Sequence, residues 1–441
     1  MKSYNKKLRI VETDVLILGA GLTGLSTAYH LGGREYCVLE KENRPGGLCG
    51  SVAHNGFLYD YTGHLLHLRN EYAKELIFSF LKNNLTYRTR NTLIHSFGRY
   101  TRYPFQANLF GLPKQIIEEC IKGLVESKLK YFNCDRKKMD MSFRDWCVMT
   151  FGQGISKYFM IPYNEKLWRV SSSNMTTGWT GGYVPQPLLK EVLEGAYTDN
   201  KRLYGYNAKF YYPGRGGIQA LIDNISENIK NLETSIKIKT INLKQKIVVT
   251  NKGIYRYKKL VSTLPLPVFL GIVSDLPGKI KKISSGLKHN SVLDINIGVS
   301  GRDVSSGAHW IYFPEKKYSF YRVGFYNNFS RHLCPSGSSS MYVEVSYRNG
   351  KINIRQSVKD ALSGLYKANI LKKNDIIGSV CPLNIKYAYV IYDANRNYIV
   401  EKISSYLVKN SVLTTGRFGG WKYSTMEDAV LDGRTAAQWT E

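Results

Sequence analysis

The 441-residue chain carries 62 lysines and arginines against 34 aspartates and glutamates, a formal net charge of +28, with 43% hydrophobic residues. That length supports two or three packed units with a sizeable core. No apolar window is long enough for a transmembrane segment, and the polar, basic stretch Met1 to Glu12 has no hydrophobic signal core, so a cytoplasmic protein is expected.

The charge is spread over Lys2 to Arg9, Lys128 to Lys138, Lys230 to Lys259 and Lys279 to Lys288. Nucleic acid is therefore not an expected partner. A lysine-rich solvated surface is the simplest reading, and peripheral membrane association is its alternative. The seven cysteines (37, 49, 120, 134, 147, 334 and 381) lack any paired-ligand spacing, so neither a disulfide framework nor a metal site is expected.

The run Asp14-Val15-Leu16-Ile17-Leu18 reads as a buried parallel strand entering Gly19-Ala20-Gly21-Leu22-Thr23-Gly24. Gly19, Gly21 and Gly24 let the backbone turn tightly and approach a pyrophosphate, and the helix starting near Leu25 directs its N-terminus at that anion. A second strand ends at Glu40, at the spacing of a carboxylate that binds an adenosine ribose. A second glycine-rich turn, Gly46-Gly47-Leu48, follows, and then Gly56 to Asp60, Gly63 and His64. This paired arrangement resembles the FAD-binding half of the amine oxidase and protoporphyrinogen oxidase superfamily. FAD is thus expected rather than a nicotinamide.

Residues 71 to 83 have helical spacing, Thr92 to Phe97 read as a strand, and Tyr103-Pro104-Phe105-Gln106 breaks the pattern. A mainly helical block opens at Pro113 and continues to about Val192. After Phe210 to Gly217 come a helix through Ile225 and Ile229, hairpins from Ile236, and Lys259 to Thr263 returning to the first sheet. Residues 291 to 347 alternate as antiparallel strands do. A helix near 355 to 368, a strand at Ser411 to Thr415 and a helix from Met426 close the chain. The fold class is therefore α/β: a Rossmann-like FAD-binding domain (1–90, 206–285 and 401–441), an antiparallel β-sheet substrate domain (91–107 and 286–400) and a helical insertion (108–205).

Three strings then occur in collinear order: Tyr103 to Gln106, Phe159-Met160-Ile161-Pro162-Tyr163-Asn164-Glu165-Lys166-Leu167-Trp168, and Trp310-Ile311-Tyr312-Phe313-Pro314-Glu315. With Phe320-Tyr321-Arg322, Tyr389 and Gly416 to Tyr423 they resemble the UDP-galactopyranose mutase family, in its eukaryotic-type branch, over nearly the whole chain. The resemblance implies an isomerase that turns UDP-galactopyranose into UDP-galactofuranose for polysaccharide or glycoconjugate synthesis. In that chemistry the N5 atom of reduced FAD attacks the anomeric carbon, UDP leaves, the ring reopens and recloses, and there is no net redox change. NADPH or NADH is the candidate reductant.

Carried over residue by residue, the resemblance puts Arg322 on the diphosphate, Tyr389 and Tyr423 on phosphate oxygens, and Trp310 and Tyr312 around the sugar. Tyr103 and Phe105 would sandwich uracil while Gln106 reads its edge. His64 would contact the flavin near N5, and Arg90, Thr92, Arg417 and Asp428 would complete the flavin site. The chain departs from the family pattern at Ile161, where a second diphosphate arginine is usual, and at Phe329, Leu188 and Glu427. Arg169 is the candidate substitute for the missing arginine. Other nucleotide sugars, an oxidase or desaturase of the same superfamily, and a non-catalytic flavoprotein are the competing readings.

Overall fold

The computed structural model describes residues 9–132, 141–348 and 350–441. The expectations placed on the basic residues before Arg9, on those at 133–138 and on Cys134 lie outside this range. Among the described residues two seven-stranded sheets organise the chain.

The first sheet is built around Arg9–Leu18, which lies parallel to Tyr36–Leu39 on one side and to Gly253–Ser262 on the other. Its Val15–Leu18 end is buried on both faces, which explains the uninterrupted apolar run there. Leu16 pairs with Leu260, so the predicted return strand docks on the first one, and Val412–Thr414 adds beside it. Ile238–Asn242 and Ile247–Thr250 form the expected hairpin at the outer edge. Helix Leu22–His30 starts directly after the first glycine turn and packs against the last helix, Met426–Trp439.

The second sheet runs, in spatial order, Ile376–Val390, His289–Ser300, Ser339–Tyr347, Arg322–Phe325, Trp310–Tyr312, Thr92–Ser96 and Arg99–Arg102. Its strands alternate in chemistry but not in burial: His289–Ser300 is buried almost throughout. Leu293, Ile295, Ile297 and Val299 face a core shared with helix Ile354–Lys367. Asp294, Asn296 and Gly298 lie on the opposite face, beneath the loop at Thr62 and the hairpin strand Phe57–Asp60. The polar side that a sequence pattern assigns to solvent is instead a covered floor.

Helix Lys114–Lys130 follows Pro113 as expected, and Phe143–Ile155, Ile161–Trp168 and Leu189–Tyr197 complete the helical block. The last of these runs beyond Val192 because Ala196 continues its buried face. The helix expected through Ile229 stops at Ser226, and Ile229 is buried in the turn after it. Among the described residues no helix is long and apolar enough to cross a membrane.

Candidate active site

The glycine turn after the first strand is shaped for close approach. A Cβ on Gly24 would lie 2.0 Å from the carbonyl oxygen of Gly19, so only glycine lets the helix start so near the strand end. Gly46 N–H donates to Ala20 O (2.9 Å), which lays the second glycine turn, with Gly47 and Leu48, directly against the first. Glu40 is buried, and its carboxylate accepts from Ala20 N (2.8 Å) and Glu42 N (3.0 Å). Those bonds fix it at the strand end, with lone pairs left for ribose hydroxyls. The space beside Gly21 is open, since a Cβ there would have no neighbour within 4 Å. These features fit a dinucleotide pyrophosphate on the helix N-terminus.

His64 follows Gly63 in the loop that crosses from this unit to the second sheet. Its Nδ1 is buried with no hydrogen-bond partner. Burial, seconded by the positive charges of Arg417 and Arg322, pulls its pKa down to about 4, so the ring is neutral at physiological pH. Arg417 donates to Ser424 O (2.7 Å) and Ala388 O (3.1 Å), and its guanidinium lies 5.0 Å from the Tyr423 ring and 5.4 Å from that of Tyr389. Tyr389 and Tyr423 are themselves stacked, 6.2 Å apart, beside the buried Trp168.

Arg322 stands at the start of its strand, directly opposite Tyr312 on one side and Glu344 on the other. Its Nη2 donates to Glu344 Oε1 (2.7 Å) and its Nε to Oε2. Burial disfavours its charge, but the Glu344 carboxylate, aided by Tyr389 and Tyr342, outweighs that and holds the guanidinium protonated. One fifth of the side chain remains exposed, and Nη1 takes no part in the bonds to Glu344. Tyr312 in turn meets Tyr103 (5.4 Å) and Tyr163 (5.0 Å). Arg322 also acts electrostatically on His64, Tyr163 and Tyr423, so groups from both units gather around it.

Arg90 is buried and lies 4.6 Å over the Tyr103 ring, with Nη2 donating to Tyr204 O (2.8 Å) and Nη1 to Asn207. The structure therefore sets it beside a residue assigned to the base. Thr92 is opposite Trp310 in the sheet, and its hydroxyl is buried without a partner. Trp310 Nε1 and Gln106 Oε1 are likewise buried and unpartnered, while Gln106 Nε2 donates to Pro185 O (2.7 Å). Phe105 is fully buried and stacks on Phe159 (5.2 Å), which stacks on Tyr163 (5.3 Å), so it is linked to Tyr103 through Phe159, Tyr163 and Tyr312. Asp428 caps the last helix by accepting from Thr425 N (2.7 Å).

The departures have local explanations. Phe329 is fully buried among Tyr212, Tyr326 and Tyr342 and stacks on His309. Glu427 is buried and accepts from Asn70 N (2.8 Å) and Arg69 N, joining the last helix to the start of Glu71–Leu81. Ile161 opens helix Ile161–Trp168, Leu188 is exposed, and Arg169 is exposed at that helix's C-terminus.

Sequence reasoning gave no role to Glu344, Asp294, Tyr163 or Lys166. The first two had a signal, since each is the one acid in a long strand with no lysine or arginine. Lys166 donates to Phe313 O (2.9 Å) and Glu315 O (2.8 Å) behind Tyr312, and burial lowers its pKa to about 7.

A family model described as flavin containing amine oxidoreductase matches residues 22–439. Among solved structures the chain is similar to a reduced UDP-galactopyranose mutase, with TM-score 0.89, 28% identity and coverage of 97% of this chain and 95% of that one. It also shares its fold with a CLA-producing fatty acid isomerase from P. acnes (TM-score 0.68, 12% identity, 96% and 97% covered). Putrescine oxidase bound to putrescine has the same fold (TM-score 0.67, 14% identity, 98% and 99% covered). With the two glycine turns and Glu40 in place, the chain belongs to the flavin containing amine oxidoreductase family.

Proposed function

We propose that the chain is an FAD-dependent isomerase that interconverts the pyranose and furanose forms of a nucleotide sugar, with UDP-galactopyranose as the first candidate substrate. The observation that carries this reading is the position of Arg322: a charge-locked guanidinium, one fifth exposed, that stands opposite Tyr312 and is electrostatically coupled to the neutral His64 and to Tyr163 and Tyr423. A departing diphosphate needs such a fixed cation. The likeness to a reduced UDP-galactopyranose mutase over 97% of the chain supports it.

FAD bound in reduced form would supply the nucleophile and end each cycle in the redox state in which it began. The chain's own residues hold and orient. Gly19, Gly21, Gly24, Glu40, Gly46, Gly47 and Leu48 grip the dinucleotide, and Gly63, Arg90, Thr92, Arg417 and Asp428 frame the flavin. Tyr103, Phe105 and Gln106 take the base, and Trp310 and Tyr312 take the sugar. Arg322, Tyr389 and Tyr423 receive the diphosphate, while His64, uncharged, hydrogen-bonds the flavin edge without adding a positive charge. We place the enzyme in the eukaryotic-type branch and in the cytoplasm, reduced by NADPH or NADH, with the six-segment domain division given above.

Ile161, Leu188 and Phe329 favour a second reading, the same chemistry on another nucleotide sugar. Incubating reduced, FAD-loaded protein with a panel of nucleotide sugars under anaerobic conditions tests both, with furanose products resolved by chromatography. Peroxide release, or flavin reduction by substrate, would instead support an oxidase.

A further inference from the structure

Arg322, Glu344 and Asp294 form a row across three neighbouring antiparallel strands, because Arg322 pairs with Glu344 and Glu344 with Asp294. Side chains in such register project from one face and meet. The row thus holds two carboxyl groups, both almost completely buried, and a single guanidinium. That guanidinium is committed to Glu344 through Nε and Nη2.

Asp294 has different partners. Its Oδ2 accepts from the backbone N–H of Thr62 (2.9 Å) and from Asn296 Nδ2 (3.0 Å), and its Oδ1 is buried without a partner. Thr62 has a positive φ of 70°, unfavourable for a β-branched residue, so the bond to Asp294 helps to hold that conformation. The next residue, Gly63, is pressed against Tyr342: a Cβ there would lie 2.4 Å from the tyrosine hydroxyl. Tyr342 stands two residues from Glu344 on the same strand and face. The loop that carries His64 therefore rests on this row at two points.

We propose that Asp294 is a positioning residue whose carboxyl proton links an anion bound at Arg322 to the loop that carries His64. The inference rests on the reading that Arg322 meets a diphosphate. When a diphosphate reaches Arg322, it adds negative charge to a buried row that already holds two carboxyl groups. The row responds by taking one proton from the buffer, and no bond between heavy atoms is made or broken. Asp294 receives it because Glu344 holds the guanidinium through two bonds, whereas burial and the Glu344 charge push the Asp294 pKa up and Arg322 opposes this only at a distance. A neutral carboxyl is a weaker acceptor for Thr62 N–H than a carboxylate, so substrate binding loosens the hold on the loop.

The other groups facing Asp294 do not take its place. Tyr342 and Tyr326 stay protonated because burial raises their pKa values, and Cys381, from the neighbouring strand, behaves in the same way. Asp60 is held at about 6 by burial, and it is bonded to Ser51 and Tyr212 away from Arg322. His64 stays neutral above about 4.

The test is calorimetric titration of UDP-galactose into oxidised, FAD-loaded protein in buffers of different ionisation enthalpy, across roughly pH 6 to 9. Each phosphate of this probe has one ester and one anhydride link, and its single remaining hydroxyl is strongly acidic and stays ionised throughout that range. The wild type should take up protons on binding, so its affinity should fall as pH rises. Asp294→Asn keeps an oxygen for Thr62 N–H but has no proton to gain, and it should bind with the proton uptake abolished. Binding by the wild type without proton uptake at any pH would overturn the inference, with no variant needed. Unchanged uptake in Asp294→Asn would overturn it equally. Failure of the wild type to bind UDP-galactose at all would overturn the nucleotide-sugar reading itself, and this inference with it.

Discussion

Arg322 and Glu344 face each other across adjacent strands and are joined through two N–H groups, Nη2 to Oε1 at 2.7 Å and Nε to Oε2. Glu344 is 1% exposed and Arg322 20%, so the carboxylate is a buried anchor and the guanidinium its accessible arm.

Removing the arm should therefore harm both folding and binding. Arg322→Ala leaves Glu344 buried without its cation and should cost about 3–5 kcal/mol of stability. Arg322→Lys keeps the charge but loses the paired geometry, and should raise KM for the nucleotide sugar by roughly 10- to 100-fold, as expected for a lost charged hydrogen bond. Chemical denaturation and steady-state kinetics on the two variants separate these effects.

The depressed pKa of His64 gives a stability signature with a definite sign. The unfolded ring titrates near 6.5 and the folded one at about 4, so between those values the unfolded chain binds more protons. The stability contributed by the neutral ring is fully present above pH 6.5 and is lost as pH falls toward 4. In urea titrations across that window, His64→Gln should show a shallower loss of stability than the wild type.

Gly24→Ala should abolish flavin binding, since the added methyl would meet the Gly19 carbonyl at 2.0 Å and force the glycine turn apart. The purified variant should be colourless at 450 nm, an absorbance characteristic of flavin, and should melt at lower temperature.

Glu427→Asn should destabilise this chain. Glu427 accepts from Asn70 N (2.8 Å) and Arg69 N, and a shorter side chain falls short of those partly exposed donors, at a cost of about 0.5–1.5 kcal/mol. Thermal melting of the FAD-loaded variant checks this.

The cofactor end of the molecule was legible because its chemistry lies in contiguous residues. Gly19 to Gly24, Glu40 and Gly46-Gly47 carry their spacing in one short stretch; Gly24 is forced by the Gly19 carbonyl, and Gly19, Gly46 and Gly47 have positive φ. The parallel return of Lys259 to Thr263 was equally readable from its apolar run. Asp294 and Glu344 were not, because their meaning arises only from cross-strand register over 50 positions of chain. The same holds for Phe105, whose stacking on Phe159 depends on how the helical insertion folds back. Burial of both faces of His289–Ser300 was hidden because the loop covering it comes from the other sheet's unit.

The measurement that bears most directly on the whole account is the number of furanose molecules formed per flavin after a single anaerobic reduction of the purified protein. A flavin that returns to its reduced state in every cycle predicts many turnovers from one reduction, none from the oxidised protein, and no consumption of reductant during turnover. Equal furanose formation by oxidised protein, or product formed only in proportion to reductant consumed, would contradict it.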